Sequence, residues 1–496
     1  MNSEEEEICS ESSSESEPEL ECDQWDSDCK ILPLTTVSCV TGRHLMPTCT
    51  ALSQKRFRRC FTIRSEISQA SIKNNYKADK QLKSDNFELI IQPFKVCVIN
   101  NFIENFWIEK FVTSLYDLDF NLRHLDLYEF FQSRDLKHYN SDTMVTFYKF
   151  LIDDVKQWVS AIIDTDLTDV SVTCSLYTNT DYLLVHDDQK DDRKIAFILY
   201  LTDENEGGAL QLIGTDSRGH PNQSVKNLWP RANQFVFFPV TNRSYHRVSE
   251  IVGLNKYRLS INGWFHTKSP EKFEAPLYKP QGLFADTYSS PKTIDIDLKS
   301  WINIDYLSPK SIQLIQNHVE ENSEISLKNF LKLEPFQAII AQLGNIDWAK
   351  RGPINRLNYD VAASKLPHPI ERLLDLFQSN QMFALLHQYT QLDLVKVKTE
   401  LQRWTPDNYE LLNDYDWSKN ELDLTVYFGC QNPRNVIGAR THYVTIEDEV
   451  QNALITIEPV ENVLNLVYRD SARFTKYFSA QSECKCFYKL ICCYSE

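Results

Sequence analysis

The alternation of hydrophobic and polar residues predicts that the first half of the chain forms helices and then strands. Order is expected to begin near Phe87, because the segment FELIIQPFKVCVINNFI is apolar enough for strands. Apolar residues then recur at helical spacing, namely Trp107, Phe111, Leu115 and Leu118. The same spacing predicts a second helix over residues 141–163.

From about residue 170 the period of the pattern falls to two, as in strands that are buried on one face. The segments with this pattern are VSVTCSLYTN, YLLVHDD, KIAFILYLTD, ALQLIG, QFVFFPV and YRLSINGWF. Short strands separated by turns are typical of an antiparallel sandwich or barrel. Six of the twelve glycines fall within residues 207–263, which concentrates tight turns there.

The second half of the chain repeats the order of helices followed by strands, without recognisable repetition of sequence. One helix is predicted to begin near Ser308 and Pro309, and LEPFQAIIAQL is predicted to end at Gly344. A single further helix is predicted through IERLLDLFQSNQMFALLHQY. Strands are then predicted at LDLTVYFG, HYVTIED, ALITIE and VLNLVYRD.

The composition indicates an intracellular globular protein. Its 496 residues, 42% of them hydrophobic, suffice for two or three domains with their own cores. No apolar run is long enough for a membrane span, and the acidic N-terminus lacks the features of a secretory signal. The thirteen cysteines include no Cys-x-x-Cys pair, which favours free thiols in a reducing compartment. Four of them cluster near the C-terminus, where packing in a strand is favoured over a metal site: Cys484, Cys486, Cys492 and Cys493.

The net charge of −17 is unevenly distributed. Residues 1–30 hold twelve acidic side chains against one lysine, and this tail is expected to be disordered. Residues 31–86 are basic and expected to be mostly flexible. They include the cluster KRFRR at 55–59, which is either a nuclear-import signal, an anion-binding patch or an ordinary linker feature. The overall acidic balance argues against a phosphate-binding surface along the whole chain.

Three histidines are followed two residues later by an acid, and they differ in their predicted surroundings. His318 lies on a helical pattern, where residues two apart point in different directions and cannot share a metal. His124 precedes a stretch that resembles a helix and has no suitably placed strand partner. His186 lies in YLLVHDD, which has the pattern of a strand, so that His186 and Asp188 are expected to share a face.

Two residues further along the chain complete a candidate metal site with His186 and Asp188. His246 follows the apolar strand QFVFFPV by a short turn, and a barrel would bring it across to the first two. Two histidines and a carboxylate on one face of an octahedron are typical of non-haem Fe(II) oxygenases. Arg258 lies on the next strand with Ser260 on the same face, and a buried guanidinium is suited to gripping a carboxylate.

The pattern of these residues resembles that of the 2-oxoglutarate- and Fe(II)-dependent oxygenases. The sequence around them is similar to the ribosomal prolyl hydroxylase family of the prolyl-4-hydroxylase-like branch. The similar segments are SLYTNTDYLLVHDD, FILYLTD, GGALQL, FVFFPV, SYHRVSE and RLSINGWFH, together with VINNFI, KRGPINR and VLNLVYRD. The resemblance implies a mixed α+β protein with two double-stranded β-helix (jelly-roll) domains and flanking helices. The catalytic domain would span 87–270, followed by a proline-rich linker at 271–300 and a degenerate second domain without metal at 301–496.

The resemblance also implies roles for individual residues and for cofactors. His186, Asp188 and His246 would ligate Fe(II), and Arg258 would bind the distal carboxylate of 2-oxoglutarate. Tyr177, Tyr200 and Ser260 would help to bind this co-substrate, although both tyrosines also suit a strand core. O2 would be the second co-substrate and ascorbate the reductant.

The implied reaction is hydroxylation, at C3, of a proline in a small-subunit ribosomal protein at the decoding centre, with effects on translation accuracy or termination. Ribosomes or translation factors are further expected partners, whereas a membrane or a nucleic-acid substrate is not expected. The expected location is the cytoplasm and nucleus. Trp264 and Phe265 are expected to be core residues.

Three other classes of function compete with this interpretation. A nucleic-acid demethylase of the same superfamily would carry a second arginine six residues after Arg258, where this chain has Trp264. A cupin-like binding module would have no need of Arg258 and Ser260 at this spacing. The second domain could instead be a scaffold that docks the ribosome or translation factors. An oxygenase acting on another protein also stays open.

Overall fold

The computed structural model describes most of the chain beyond residue 67. The described ranges are 68–115, 118–190, 192–204, 206–271, 273, 287–363, 365–412, 420–447 and 450–496. They all belong to one compact unit, Cys49–Glu496. The acidic segment 1–30, the basic cluster 55–59 and much of the expected linker lie outside the described residues. Among the helices described, none has the length and apolar content needed to cross a bilayer.

Helices flank two antiparallel sheets. They are α1 Gln69–Lys77, α2 Asn105–Ser114, α3 Asp142–Phe150, α4 Lys156–Ile163, α5 Leu298–Trp301, α6 Pro309–Asn322, α7 Leu333–Leu343, α8 His368–Gln378 and α9 Asn380–Thr390. A π-helical stretch, Leu151–Val155, joins α3 to α4, so the helix predicted over 141–163 is confirmed as one continuous segment. The hydroxyl of Ser141 caps it by accepting from the Met144 amide at 3.4 Å.

The expected start of order near Phe87 is wrong, because α1 precedes it. Its Ile72 and Tyr76 are one helical turn apart and both are buried. The hydroxyl of Ser68 caps this helix by accepting from the Ser71 amide at 3.1 Å. Two apolar residues in a polar stretch are too few for the periodic pattern to reveal, and only the core that receives them fixes the helix.

The first sheet contains the strands of the predicted catalytic domain. They are β1 Leu82–Lys83, β2 Phe87–Ile90, β3 Val96–Ile99, β4 Phe120–His124, β5 Tyr128–Ser133, β6 Val170–Tyr177, β7 Tyr182–His186, β8 Arg193–Tyr200, β9 Leu210–Thr215, β10 Pro221–Leu228, β11 Phe235–Pro239, β12 His246–Val248 and β13 Arg258–His266. Their spatial order is β1-β2-β3-β11-β8-β13-β6-β5-β7-β12-β9-β10, with β4 beside β5. The six strands predicted from the period of two are all confirmed.

Two segments in this half differ from the expectation. The stretch after His124 is not helical, because β4 and β5 form a hairpin in which His124 faces Glu129. The His124 Nδ1 lies 3.1 Å from a carboxylate oxygen of Glu129, so this histidine pairs with an acid on the adjacent strand. The polar insert TDSRGHPNQSVKN contributes to β10, which is paired along its length with β9. Apart from Val225 its exposed residues are polar, which hid the strand from the hydrophobic pattern.

Two apolar clusters show how the layers stack. One lies between α1–α4 and the strands β3, β11, β8, β13 and β6, and includes Phe111, Phe147 and Phe197. The other lies between this part of the sheet and β9 and β10, and includes Ile198, Leu212 and Phe238. The sheet therefore folds back on itself with helices on its outer side, as in a jelly roll.

The second sheet contains the strands of the C-terminal half. They are β14 Glu324–Lys328, β15 Trp348–Arg351, β16 Leu357–Ala362, β17 Lys396–Trp404, β18 Tyr409–Glu410, β19 Glu421–Phe428, β20 Thr441–Glu447, β21 Val450–Ile457, β22 Val463–Arg469, β23 Ala472–Thr475 and β24 Phe487–Ser495. Their order is β14-β22-β19-β24-β17-β16-β18-β23-β20-β21, with β15 beside β16. Strands β3 to β13 and β14 to β24 thus correspond one to one, both in chain order and in pairing. We call residues 287–496 the C-terminal domain.

Helix boundaries in the C-terminal domain match the expectation at two places and depart from it at one. Ser308 caps α6, and α7 ends at Gly344 as predicted. The single helix expected from IERLLDLFQSNQMFALLHQY is wrong, since Ser379 adopts an extended conformation between α8 and α9. Its hydroxyl accepts from the Met382 amide at 3.2 Å, so that serine begins a new helix.

Candidate active site

Strands β7 and β12 bring two of the predicted metal ligands together. In their antiparallel pairing His246 lies directly opposite His186, and the two imidazole rings are 4.2 Å apart between centroids. The ring of Phe238, which belongs to the core between the layers, packs edge-on against His246 at 4.7 Å. The histidines, which are 60 residues apart in sequence, therefore meet inside the folded sheet.

A β-bulge in β7 determines which way His186 faces. His246 pairs with His186 and Val248 pairs with Leu183, so β7 contains one residue more than β12 between the two pairs. Tyr182 and Leu184 pack into an apolar cluster away from the site. Regular alternation would place His186 on the same face as these two residues, and the extra residue turns it toward His246 instead.

Asp188 joins the histidines by a route that differs from the expected one. We expected His186 and Asp188 to share the face of a strand, but β7 ends at His186. Asp188 lies beyond this end with φ of +62°, in the left-handed region. One carboxylate oxygen lies 3.2 Å from His246 Nε2, and the other lies 3.6 Å from His186 Nε2. A turn rather than strand alternation thus presents this carboxylate.

The potential ligand atoms of the three residues all lie within 4.8 Å of one another. The Nδ1 atoms of His186 and His246 lie 2.8 Å from the backbone oxygens of Leu184 and Ser244, respectively. Protons on these Nδ1 atoms satisfy both bonds and leave each Nε2 with a free lone pair that points at the carboxylate. Two neutral imidazoles and one carboxylate fit a divalent cation such as Fe(II).

The electrostatic surroundings favour the protonation states that bind a metal. Burial is the main cause that lowers the pKa of His186 to about 4, and the neighbouring His246 is the second. The ring of His186 is therefore neutral at neutral pH. Burial alone would raise the pKa of Asp188, but the histidines and Arg193 outweigh it and hold this pKa well below its usual value. The site therefore offers an anionic carboxylate beside neutral imidazole at physiological pH.

Two neighbours of Asp188 show why this acid rather than the adjacent one reaches the site. The carboxylate of Asp187 turns away and accepts from the backbone and side-chain nitrogens of Gln189, at 3.1 and 2.7 Å. Arg193 lies 3.8 Å from a carboxylate oxygen of Asp188, and its guanidinium stacks 3.6 Å from the ring centroid of Trp264. Arg193 was not among the predicted site residues. The only hint was a cation at the start of the strand that follows His-Asp-Asp.

A second polar pocket surrounds Arg258, at the start of β13. The guanidinium lies 4.8 Å from the ring centroid of Tyr177 and 5.1 Å from that of Tyr200. The Nε of Arg258 and the hydroxyl of Tyr200 are buried without a hydrogen-bond partner among the described residues. Burial raises the pKa of both tyrosines, so their hydroxyls stay protonated and able to donate. A buried cation with unused donors fits a ligand that carries a carboxylate.

Ser260 lies on the same strand as Arg258, but its hydroxyl is used elsewhere. It donates to the side-chain oxygen of Asn262 at 2.7 Å, and the Asn262 amide donates in turn to Ser175 at 2.8 Å. The backbone of Ser260 pairs with Tyr200 on β8. Its hydroxyl can still accept a hydrogen bond, but its proton is already taken. Phe265 is fully buried as expected, and Trp264 is partly buried beneath Arg193.

The corresponding strands of the C-terminal domain lack these residues. Strands β18 and β23, which match β7 and β12, contain no histidine. Where β13 begins with Arg258 opposite Tyr177, β24 begins with Phe487 opposite Trp404. The two aromatic rings stack with centroids 6.0 Å apart, at the pair of positions that corresponds to Arg258 and Tyr177.

One other group in the described residues has the spacing of metal ligands: Glu421, Asp423 and Cys493. Two arginines already neutralise its carboxylates. Arg469 pairs with both acids, and Arg473 pairs with Asp423. Burial, and next Asp423, raises the pKa of Cys493 to about 12, so its thiol is protonated. This cluster is an internal ion-pair network. The expectation of strand packing for the C-terminal cysteines is confirmed for Cys492 and Cys493, which lie buried on β24, but it is wrong for Cys484 and Cys486, which precede that strand and are half-buried.

Comparison with known proteins agrees with the site and the fold. A family model described as the 2OG-Fe(II) oxygenase superfamily matches residues 172–266, which include all seven predicted site residues. A second model, described as the C-terminal domain of oxoglutarate and iron-dependent oxygenase degradation proteins, matches residues 295–495. The chain is thus a 2-oxoglutarate- and Fe(II)-dependent oxygenase, a dioxygenase that uses O2, and its first sheet is the jelly roll of that class.

Relatives along most of the chain define the family more closely. Prolyl 3-hydroxylase OGFOD1 of Xenopus laevis is 35% identical over 460 residues, covering 83% of this chain and 88% of the relative. Prolyl 3-hydroxylase sudestada1 of Drosophila melanogaster is 35% identical over 437 residues, covering 79% and 81%. OGFOD1 of Mus musculus is 30% identical over 504 residues, covering 85% and 91%. The chain belongs to this family of prolyl 3-hydroxylases.

Proposed function

We propose that this protein hydroxylates C3 of a prolyl residue in a protein substrate. The observation that carries the proposal is the convergence of His186, Asp188 and His246 in a chain that is 35% identical to prolyl 3-hydroxylases over most of its length. Both the site and the resemblance are needed. The site alone supports oxidation of many kinds of C–H bond, whereas the relatives point to proline and to C3.

In this proposal His186, Asp188 and His246 ligate Fe(II) through two Nε2 atoms and one carboxylate. Their backbone hydrogen bonds fix the orientation of both rings before the metal binds. Three protein ligands would leave the metal free to bind the co-substrate and O2 as well. When bound, Fe(II) with 2-oxoglutarate and O2 supplies the oxidising power, giving succinate, CO2 and a hydroxylated substrate. Ascorbate serves as the reductant that keeps the metal ferrous.

Arg258 binds the distal carboxylate of 2-oxoglutarate in this proposal, and Tyr177 and Tyr200 donate hydrogen bonds to the co-substrate. The support is the unpaired Nε of Arg258 beside a Tyr200 hydroxyl that also lacks a partner. Ser260 contributes as an acceptor and through its link to Asn262, which stiffens the wall of the pocket. Because all four residues are buried, water is largely excluded where the carboxylate would lie.

The proposed substrate is a small-subunit ribosomal protein of the decoding centre, and the ribosome or translation factors are further partners. The described body of the enzyme supports a basic partner, since residues 91–496 carry a net charge of −12. We also propose that the C-terminal domain is a degenerate jelly roll that binds no iron. The absence of histidine from β18 and β23, and Phe487 in place of a guanidinium, support this.

The proposed location is the cytoplasm and nucleus. The cysteines in the described part of the chain are all free thiols, as suits a reducing compartment. Imaging of a fluorescent fusion, with and without alanine replacement of residues 55–59, tests whether the basic cluster directs nuclear entry. Exclusion of the intact fusion from both compartments would contradict the proposal.

The decisive experiment combines the full-length protein with Fe(II), 2-oxoglutarate, ascorbate and purified small-subunit ribosomal proteins. We expect succinate to form, and one proline-containing peptide to gain the mass of one oxygen atom. Amino-acid analysis should identify 3-hydroxyproline rather than 4-hydroxyproline. Turnover with another protein but not with ribosomal proteins would overturn the substrate, and 4-hydroxyproline would overturn the position of attack.

A further inference from the structure

The C-terminal domain packs against the two strands that carry the histidines of the site. Tyr182 and Leu184 on β7 form one apolar cluster with Tyr409, Leu411 and Tyr477 of the C-terminal domain. The rings of Tyr182 and Tyr477 lie 4.5 Å apart between centroids. The outer face of β7 is therefore part of a domain interface, while its last residue, His186, turns inward.

A charged contact lies next to His246 on β12. Arg247 Nη1 lies 2.7 Å from a carboxylate oxygen of Asp407, and Arg247 Nε donates to Gln211 on the neighbouring strand β9. Asp407 occupies a turn of the C-terminal domain. Its backbone amide donates to the oxygen of Phe478 at 2.8 Å, and its backbone oxygen accepts from the Asn358 side chain at 2.6 Å. Arg247 is thus held by a turn whose backbone is itself hydrogen-bonded within the other domain.

A second charged contact follows two residues after β12 ends. The Glu250 carboxylate, in a residue only 5% exposed, accepts from the hydroxyls of Tyr477 and Ser479, the Ala480 amide at 2.8 Å and the Gln481 side chain at 3.3 Å. All of these donors belong to the C-terminal domain. A buried carboxylate without such donors would be strongly unfavourable, so this segment depends on the C-terminal domain for its place.

We infer that the C-terminal domain holds the metal site in its binding geometry, with Arg247 and Glu250 acting as positioning residues for His246. This inference rests on the proposed function, because it assumes that His246 ligates the metal. Strand β12 has only three residues, His246–Val248, so its ladders with β7 and β9 are short and restrain it weakly by themselves. The two charged contacts, one and four residues after the histidine, compensate for these short ladders. The C-terminal domain is then an integral part of the catalytic unit.

The test compares three full-length variants with the wild type. Asp407→Asn removes the charge that holds Arg247, and Glu250→Gln weakens the second contact. Asp375→Asn is the matched control, because Asp375 pairs with Lys292 within the C-terminal domain at 3.0 Å and away from β12. Affinity for Mn(II) is measured by calorimetry in the presence of 2-oxoglutarate. Hydrogen exchange of the metal-free proteins is followed by mass spectrometry on peptides that cover residues 244–251.

We expect Asp407→Asn and Glu250→Gln to weaken Mn(II) binding about 10- to 100-fold, the range seen when groups that orient metal ligands are removed. The peptides over 244–251 should exchange faster in both variants, while those from α3 and α4 stay unchanged. The control should match the wild type in both measurements. A merely structural role would lower thermal stability without changing the Mn(II) affinity of the folded protein.

Two outcomes separate this inference from the proposed function. If the wild type itself does not bind Mn(II), the proposed metal site is wrong. If the wild type binds and both variants bind within twofold of it with unchanged exchange, the positioning role is wrong and the metal site stands. Should Glu250→Gln fail to fold, Asp407→Asn decides alone, because the Asp407 side chain is 42% exposed and its amide fits the same space.

Discussion

Replacing Arg258 with methionine should stabilise the metal-free protein and weaken its binding of 2-oxoglutarate. Arg258 is 2% exposed and has no ion-pair partner among the described residues. The rings of Tyr177 and Tyr200 compensate part of its charge. Methionine has a similar length and adapts to irregular space, so the variant removes the charge without leaving a large cavity.

The size of both effects follows from the burial of this charge. Taking a cation out of water costs several kcal/mol in a protein interior, and two cation–π contacts return about 1–2 kcal/mol each. The free energy of unfolding of the Arg258→Met variant should therefore be about 1–3 kcal/mol higher than that of the wild type. Removing one partner of a buried charge pair costs about 2–5 kcal/mol, so the Kd for 2-oxoglutarate should rise roughly 30- to 5000-fold.

Two measurements and one control variant decide this prediction. Urea unfolding of the metal-free protein gives the change in stability, and anaerobic calorimetry with Mn(II) gives the affinity for 2-oxoglutarate. Arg469→Met is the control, because Arg469 is equally buried but paired with Glu421 and Asp423. That variant should lose about 3–5 kcal/mol of stability.

Two results would refute the reasoning about Arg258. An unchanged affinity for 2-oxoglutarate in Arg258→Met would mean that another residue binds the distal carboxylate. A loss of stability as large as that of Arg469→Met would mean that the Arg258 charge is already compensated in the metal-free protein.

Three further predictions concern the ligand set, a partly buried histidine and a tight strand contact. Asp188→Asn should abolish measurable Mn(II) binding by calorimetry, whereas Asp187→Asn should retain it, because only the carboxylate of Asp188 faces the histidines. Burial is the main cause that lowers the pKa of His442 to about 4, and nearby cations add to it. As pH falls below about 6.5, this histidine therefore becomes protonated in the unfolded chain while it is still neutral in the folded protein. Stability should thus fall between pH 7 and 5 by about 1–2 kcal/mol more in the wild type than in His442→Asn, and parallel urea curves would contradict this. Gly263→Ala should lower the free energy of unfolding by about 2–4 kcal/mol, because a Cβ there would lie 2.0 Å from the Ser171 backbone oxygen. An unchanged midpoint of thermal unfolding would show instead that the two strands can move apart to make room.

The strands of the first domain could be predicted because their periodicity is local. A segment such as YLLVHDD shows alternation within a few residues, and the Ser141 cap lies beside the helix that it begins. Weakly apolar or polar elements could not be predicted in this way. Helix α1 offers only Ile72 and Tyr76 to the core, and β10 exposes polar side chains along most of its length. These segments adopt their structure because of what packs or pairs with them.

The residues of the candidate site were predictable by type, whereas their arrangement was not. A metal site and an anion site are indicated by the order in which His186, Asp188, His246 and Arg258 follow one another on segments with a strand pattern. The bulge in β7 and the left-handed turn at Asp188 have no comparable mark in the sequence. The bulge arises where the ladder between β7 and β12 accommodates an extra residue, and the turn follows where β7 ends.

The chemical groups that this protein can bring to iron and to a carboxylate can be read from its sequence, since ligand type and strand period are properties of short segments. Which of these atoms meet, and that the C-terminal domain holds the strand of His246, depends on the packing of the folded chain. Arg247 and Asp407 are 160 residues apart, and Glu250 and Ser479 are 229 apart. Contacts at such separations depend on how two folded domains pack, and no local pattern of polar and apolar residues encodes them.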